Sequence, residues 1–308
     1  MRDPFAWYPH RIELIAGFSV GHFTLPGGES GCTVILPPPG NVAAYDMRGS
    51  SPGSRELSSL DLERRATEVH AILLTGGSVF GLHAADGVVA WLEERGVGYR
   101  TEVATIPIVP AAVIFDLAAA RGPARPSPAW GYAACTAAGA AMPRSGRVGA
   151  GAGATVGKWA GREFRARGGL GVAGAERDGA RVVAIAVVNA LGDVIDADGR
   201  VLAGTSAPDP RFQRPAPPPA VGAPLNTVLG VVLAAGSFEK SQVRFLAARG
   251  SDGVTQSVRP AHTRYDGDVT FAVAAAQPEA APPADLDALG MLATEAMAAA
   301  VRNAVRRP

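Results

Sequence analysis

The fold is decided at Pro224-Leu225-Asn226-Thr227-Val228-Leu229-Gly230-Val231-Val232-Leu233, where a proline-rich segment runs into a continuous apolar run. A β-branched run of this length, with Pro before it and Ala-Ala-Gly after it, predicts a buried strand. Residues 207–224 contain seven prolines and too few apolar residues to pack, so we expect an exposed, semi-extended linker. A small hydroxyl residue, Thr227, therefore opens a core strand where the linker ends.

Thr227 has two interpretations. It is either an ordinary strand residue or a nucleophile made by cleavage of the chain. Cutting the Asn226–Thr227 peptide bond would free an α-amine on Thr227, and one residue would then carry both a nucleophilic hydroxyl and a nearby base. The local sequence leaves both interpretations open.

Composition narrows the class of protein. The 308 residues suffice for one large domain or two small ones. A net charge of +1 with 19% charged residues gives no electrostatic reason to expect nucleic acid or an anionic membrane as partner. Two cysteines, Cys32 and Cys135, without CxxC or zinc-type His spacing, indicate neither a disulfide framework nor a metal site, and no cofactor is expected.

The chain shows no targeting or membrane segment, and we expect a cytoplasmic protein. Residues 1–10 lack the apolar core of a signal peptide. The most apolar long stretch, residues 103–120, contains Pro107, Pro110 and Asp116, so it is not a plain membrane span.

Apolar runs and helical periodicity predict a mixed set of strands and helices. The predicted strands are residues 12–21, 31–36, 41–46, 71–74, 182–188, 227–233 and 269–275. The predicted helices run from Ser78 to about Arg95, from an N-cap at Ser237 to about Val258, and from Asp285 onward.

Two glycine-rich segments imitate known motifs without matching them. Gly76-Gly77-Ser78 resembles a hydrolase nucleophile elbow, but Phe80 occupies its last glycine position, so Ser78 is predicted to cap a helix. Residues 147–158 resemble a phosphate-binding loop, but Ala152 and Trp159 break the pattern. Nucleotide binding is therefore disfavoured, and Lys158 is the residue in this segment whose position matters.

Polar residues at two other strand ends are candidates for the same site. Asn189 ends the run 182–188, and it is either a turn former or an amide donor to an oxyanion. Asp266 and Asp268 belong to a tight turn that opens the strand 269–275. Such turns are commonplace, but both carboxylates could also converge on the start of a neighbouring strand, such as Thr227.

Seven motifs in order along nearly the whole chain resemble the P1 (S58) peptidase family, which contains D-aminopeptidases, β-peptidyl aminopeptidases and nylon-oligomer endo-hydrolases. They are GCTVIL (31–36), LTGGSVFG (74–81) with AADG (84–87), PIVP (107–110) with VIFD (113–116), GATVGK (153–158), VNA (188–190), NT (226–227), and RPAHT (259–263) with DGD (266–268).

The resemblance implies an α+β fold, an αββα sandwich like that of N-terminal nucleophile hydrolases with an ornithine acetyltransferase-like topology. It also implies a single domain, 1–308, that cuts itself between Asn226 and Thr227 into a large chain, 1–226, and a small chain, 227–308. Family habit further implies a homo-oligomer, a tetramer of processed protomers.

The resemblance assigns roles to residues. Thr227 with Asp266 and Asp268 is similar to the nylon-oligomer branch, while Lys158 and Asn189 match active-site positions. As a mechanistic hypothesis of our own, we assign Asn189 to the oxyanion. Substrate-binding positions are expected at three further residues: Phe115, which stands where some members have Tyr, and Gly76 and Gly77.

The implied activity is hydrolysis of linear amides, with 6-aminohexanoate oligomers as the first candidate substrate. Aminopeptidase, β-peptidyl aminopeptidase or D-amino-acid amidase or esterase activity is the alternative. An acyltransferase of the ornithine acetyltransferase type and a non-catalytic binding protein that never cleaves itself are the other classes. The expected partner is a small amide or short oligomer.

Overall fold

The computed structural model describes residues 13–118, 125–211, 226–276 and 285–306. Its strands are β1 (Ser19–Thr24), β2 (Gly31–Leu36), β3 (Val42–Met47), β4 (Ser54–Arg55), β5 (Ile72–Thr75), β6 (Tyr99–Arg100), β7 (Thr105–Ile106), β8 (Ala111–Val113), β9 (Thr155–Val156), β10 (Ala166–Arg167), β11 (Gly169–Arg177), β12 (Ala180–Asn189), β13 (Asp193–Ile195), β14 (Val201–Ala203), β15 (Thr227–Ala235), β16 (Val258–Arg259) and β17 (Val269–Ala275). Its α-helices are α1 (Ala84–Glu93), α2 (Pro128–Thr136), α3 (Lys240–Ser257) and α4 (Leu286–Asn303).

Two five-stranded mixed sheets form the centre of the fold. The first has the strand order β1-β2-β5-β8-β4, and the second has the order β11-β12-β15-β17-β3. In the second sheet β12 and β15 are antiparallel, whereas β15 and β17 are parallel. This order puts β15, the strand that Thr227 opens, in the middle of a sheet.

The two sheets pack face to face through alternating residues of their strands. Val183, Ile185 and Val187 of β12 point into the core between the sheets, together with Leu229 and Val231 of β15. The intervening residues point to the other face of the sheet, as the two-residue period of a strand requires. Continuous apolar runs such as 182–188 are therefore strands that are buried on both faces.

Helices cover both outer faces. Helices α3 and α4 pack on the outer face of the second sheet, where Val232, Leu246 and Met297 share one core cluster. Helices α1 and α2 cover the first sheet, with Val34, Val88 and Trp130 in another cluster. The predicted αββα sandwich is confirmed. Within the described ranges, no helix is long and apolar enough to cross a bilayer.

Three local predictions are wrong. The first strand begins at Ser19 rather than at residue 12. Ser78 lies in the left-handed region, with φ 54°, and opens a 3₁₀ turn without capping it through its side chain, so the α-helix begins only at Ala84. The N-cap of α3 is Glu239 rather than Ser237, because Glu239 forms a reciprocal capping box with Gln242.

Most of the predicted linker, 207–224, lies outside the described residues, so its conformation stays a prediction. The division into 1–226 and 227–308 stays a prediction as well.

Candidate active site

Three strand ends meet at one edge of the second sheet. Because β15 and β17 are parallel, with Leu229 opposite Val269, both strands start at this edge. Strand β12 runs the other way, so it ends there, and its last residue, Asn189, lies directly opposite Thr227. The topology thus brings together the candidate nucleophile, the candidate amide donor and the Asp-Gly-Asp turn.

Thr227 is buried, with 5% of its surface exposed, and it faces the peptide bond before it. Its Oγ1 donates a hydrogen bond of 2.5 Å to the carbonyl oxygen of Asn226. The backbone N–H of Gly267 donates to the same oxygen at 2.8 Å. The carbonyl of the predicted scissile bond therefore accepts two hydrogen bonds, and the one from the Gly267 N–H is of the kind that stabilises negative charge on that oxygen.

Gly267 was not among the sequence-predicted site residues, because a main-chain donor has no residue-type signature. The absence of a side chain is required here. A Cβ on Gly267 would lie 2.6 Å from the carbonyl oxygen of Ser51 and 3.0 Å from Thr227 Oγ1. The loop before β4 packs against this turn, since Ser51 N donates to Asp266 O at 3.0 Å.

Asp266 is buried and supports the surrounding backbone. Its Oδ1 accepts from Leu191 N at 3.2 Å, and its Oδ2 accepts from the backbone and the hydroxyl of Thr263. Burial, followed by the charge of Asp268, raises the pKa of Asp266 to about 6. Asp266 therefore keeps its proton to a higher pH than an ordinary aspartate does.

Asp268 fixes the start of β15 and pairs with a histidine. Its Oδ1 accepts from Val228 N at 2.6 Å, and its Oδ2 lies 2.7 Å from His262 Nδ1. Burial opposes a charge on His262, but the hydrogen bond and the charge of Asp268 outweigh it and raise the pKa of His262. His262 belongs to the sequence motif at 259–263, but the sequence analysis gave it no role. Its position six residues before Asp268 was the signal that could have indicated the pair.

Lys158 and Asn189 form a buried pair beside Thr227. Lys158 Nζ donates to the main-chain oxygen of Asn189 at 2.9 Å and to its Oδ1 at 3.0 Å. Burial lowers the pKa of Lys158 to about 7, although Asp266 opposes the shift. Asn189 Oδ1 also accepts from Thr155 N at 3.0 Å, and its Nδ2 donates to Phe115 O at 3.3 Å. Its predicted role at a substrate oxyanion stays a prediction.

A cleft next to this pair contains several of the predicted residues. It is lined by Phe115, Asp116, Ala118, Gly153, Thr155, Lys158, Arg162, Arg165 and Asn226. Gly76 and Gly77, predicted to bind substrate, lie behind it. Gly77 N donates to Asp116 Oδ1 at 2.7 Å, and a Cβ on Gly76 would lie 2.1 Å from Asp116 Oδ2. Gly76 thus makes room for the buried carboxyl of Asp116, and Gly77 binds it through its backbone N–H; burial raises the pKa of Asp116.

Among the residues that the structure describes, no group of three or more His, Cys, Asp or Glu side chains is arranged to hold a metal ion.

The model of peptidase family S58 matches residues 11–307. An uncharacterized aminopeptidase of Mycobacterium bovis is 39% identical over 315 residues, which cover 94% of this chain and 89% of that protein. A 6-aminohexanoate-oligomer endohydrolase of Paenarthrobacter ureafaciens is 31% identical over 270 residues, which cover 83% of this chain and 72% of that protein.

Two solved structures share the fold. A β-aminopeptidase of Burkholderia sp. superposes with a TM-score of 0.71 at 20% identity, covering 96% of this chain and 87% of that one. The L-aminopeptidase D-Ala-esterase/amidase of Ochrobactrum anthropi, described as a new variant among the Ntn hydrolase fold, superposes with a TM-score of 0.70 at 19% identity, covering 94% and 84%.

Proposed function

The chain belongs to peptidase family S58 and is a hydrolase of amide bonds, and from this premise we propose that it cuts itself between Asn226 and Thr227 and then uses Thr227 as an amino-terminal nucleophile. The observation that carries the proposal is the pair of hydrogen bonds that Thr227 Oγ1 and Gly267 N donate to the carbonyl oxygen of Asn226.

In the self-cleavage, Thr227 Oγ1 attacks the Asn226 carbonyl carbon through a five-membered ring. Gly267 N stabilises the oxyanion, the C–N bond breaks, and the nitrogen leaves as an amine that takes up the hydroxyl proton. The resulting ester is hydrolysed by one water molecule, which restores the hydroxyl and leaves a carboxylate on Asn226.

In the hydrolysis of a substrate, the same hydroxyl attacks an amide carbonyl. The free α-amine of Thr227, with an ordinary pKa of about 7.7 to 8.0, takes the hydroxyl proton and passes it to the leaving amine. Water then hydrolyses the acyl-enzyme. Lys158 lowers the pKa of that amine and Asp266 and Asp268 raise it, so the balance of these charges sets the fraction in the basic form.

The proposed substrates are linear amides, and the named relatives suggest two candidates. Similarity to the endohydrolase supports cleavage of internal bonds of 6-aminohexanoate oligomers as the activity of this chain. Similarity to the aminopeptidases supports removal of amino-terminal residues. The combination of Thr227 with Asp266 and Asp268 supports the first. The homo-oligomer expected from the resemblance belongs to the same proposal, and light scattering on the processed protein tests it.

Intact mass and denaturing electrophoresis test the self-cleavage, which predicts fragments of 226 and 82 residues (308 minus 226). The processed protein should then release amine from a panel of linear amides, and Thr227→Ala should neither cut itself nor hydrolyse them. A cleaved and active alanine variant would refute the proposal. Preference for an amine over water as acyl acceptor would identify an acyltransferase instead.

A further inference from the structure

The mouth of the cleft beside Thr227 is lined by two arginines. Lys158 forms the buried floor, Arg162 is half-buried, and Arg165 is exposed. Arg162 stacks on Phe115, with its guanidinium carbon 5.7 Å from the ring centroid. Arg165 Nη1 donates to the carbonyl oxygen of Arg162 at 2.7 Å, which ties the two residues together at the entrance.

These arginines are not neutralised by the described part of the chain. None of the ion pairs formed there involves Arg162 or Arg165. Asp116 is in the cleft, where its Oδ1 accepts from Gly77 N, and within the described ranges it forms no ion pair with either arginine. Glu163, between the arginines in sequence, is exposed and folds back over Gly161. The segments that adjoin the cleft in sequence, 119–124 and 212–225, contain arginine and neither aspartate nor glutamate.

The position of Asn226 shows which half of a substrate meets this charge. Asn226 is the acyl part of the bond that Thr227 faces, and it lines the cleft with Arg162 and Arg165. A substrate whose acyl part takes the place of Asn226 meets the same side chains. The step rests on the proposed function, because the cleft is an acyl subsite only if Thr227 is the nucleophile.

We propose that this cleft is an anion-binding acyl subsite in which Arg162 and Arg165 bind a carboxylate a few bonds from the reacting carbonyl. Among linear amides of the same acyl length, those whose acyl half carries a carboxylate, such as half-amides of dicarboxylic acids, should be hydrolysed faster than neutral ones. An arginine guanidinium matches a carboxylate through two parallel hydrogen bonds, and stacking on Phe115 limits the orientations that Arg162 samples. A free ammonium at this position is disfavoured, which favours internal bonds of an amino-terminated oligomer over its first bond.

Three p-nitroanilides of matched acyl length test the proposal on the processed protein: glutaryl (anionic), pentanoyl (neutral) and 4-aminobutanoyl (cationic). We expect kcat/KM to fall in that order, with the glutaryl compound at least about tenfold above the pentanoyl one, as for a hydrogen-bonded charge pair. The glutaryl-to-pentanoyl ratio should fall to near one in the double variant Arg162→Gln, Arg165→Gln. Added salt should lower the ratio in the unmodified protein.

Arg167→Gln is the matched control, because Arg167 is an exposed arginine of the same segment that does not line the cleft; it should keep the ratio. If the double variant does not fold, Arg165→Gln alone carries the test, and the ratio should still fall. A ratio near one in the unmodified protein, a preference for the cationic compound, or a ratio unchanged in the variants overturns the subsite while leaving the proposed function intact. A chain that stays full-length and hydrolyses none of the three defeats the proposed function itself, and the subsite with it.

Discussion

Asn189 is the last residue of β12 and lies directly opposite Thr227, the first residue of β15. The Asn189 side chain accepts from Lys158 through Oδ1 and donates through Nδ2. The Asn189 amide therefore has two functions: its oxygen accepts from Lys158, and its N–H group is a donor. Substitutions that remove one or both groups distinguish the two functions.

Asn189→Asp keeps an oxygen for Lys158 but removes the N–H donor. We expect self-cleavage to continue, because the oxyanion donor on the Asn226 carbonyl is Gly267 N, whereas hydrolysis should fall about a hundredfold, as when an oxyanion donor is lost. Fragment formation on gels and steady-state kinetics measure the two effects. Asn189→Ala, which also removes the oxygen, should impair both. Full hydrolysis by the aspartate variant would contradict the oxyanion role.

Gly267→Ala should slow self-cleavage by about a hundredfold or more. The added Cβ would lie 2.6 Å from Ser51 O, so the turn must shift and its N–H must leave the Asn226 carbonyl. A time course of fragment formation measures the rate. Gly139→Ala is the control, since a Cβ there meets nothing within 4 Å. Processing at the normal rate in Gly267→Ala would exclude this N–H as the donor.

His262→Ala should lower stability in a pH-dependent way. Both ring nitrogens of His262 face oxygens, Asp268 Oδ2 at 2.7 Å and Ser251 O at 3.1 Å, so the folded state favours the doubly protonated ring. Because the folded pKa is raised, the stabilisation is complete below the unfolded value of about 6.5 and is lost as the pH rises through the folded pKa.

Urea unfolding of uncut Thr227→Ala protein, with and without His262→Ala, measures this difference between pH 5.5 and 9. His83→Ala is the control, because the His83 side chain is 59% exposed. A stability difference that does not change with pH would show that folding leaves the pKa of His262 unchanged, and one that rises with pH would show that the folded protein holds the ring neutral.

Lys158 should make the free energy of unfolding rise with pH. Its pKa is about 7 in the folded protein and 10.5 for the ordinary side chain, so between these values the unfolded chain binds one more proton. On the Thr227→Ala background, the stability relative to Lys158→Met should increase by up to about 1.4 kcal/mol per pH unit above pH 7. A flat difference in urea unfolding across this range would mean that Lys158 stays charged when buried.

The sequence predicted the layers of the fold because runs such as 182–188 and 228–233 contain no polar side chain, as is typical of strands with both faces covered. The sequence did not predict where two of the helices begin. Ser78 and Ser237 are favourable caps by residue type, but Gly77, with φ 85°, turns the chain so that its N–H reaches Asp116, and Glu239 forms the capping box instead. A contact between distant segments decided the first case, and a local capping box decided the second.

The sequence indicated the candidate side chains of the site, but it did not indicate the strand pairing and the main-chain donor that accompany them. Thr227 and the Asp-Gly-Asp turn stand out by residue type at strand starts, but the parallel pairing of β15 with β17 that joins them is a property of the sheet. The Gly267 donor is main chain and carries no signature. Arg162 and Arg165 sit in a polar segment, where an arginine ordinarily signals a solvated surface.

The second sheet has the order β11-β12-β15-β17-β3, which has a mechanical consequence for scission at Thr227. Strands β15 and β17 would belong to the short piece, and the strands that flank them on either side would belong to the long one. Both fragments would contribute strands to the same sheet, so cleavage of the backbone would not cause the fragments to dissociate. The new amino terminus at Thr227 would stay at the start of β15, hydrogen-bonded between β12 and β17. The position of the nucleophile would therefore be fixed by the sheet, although it is a chain terminus.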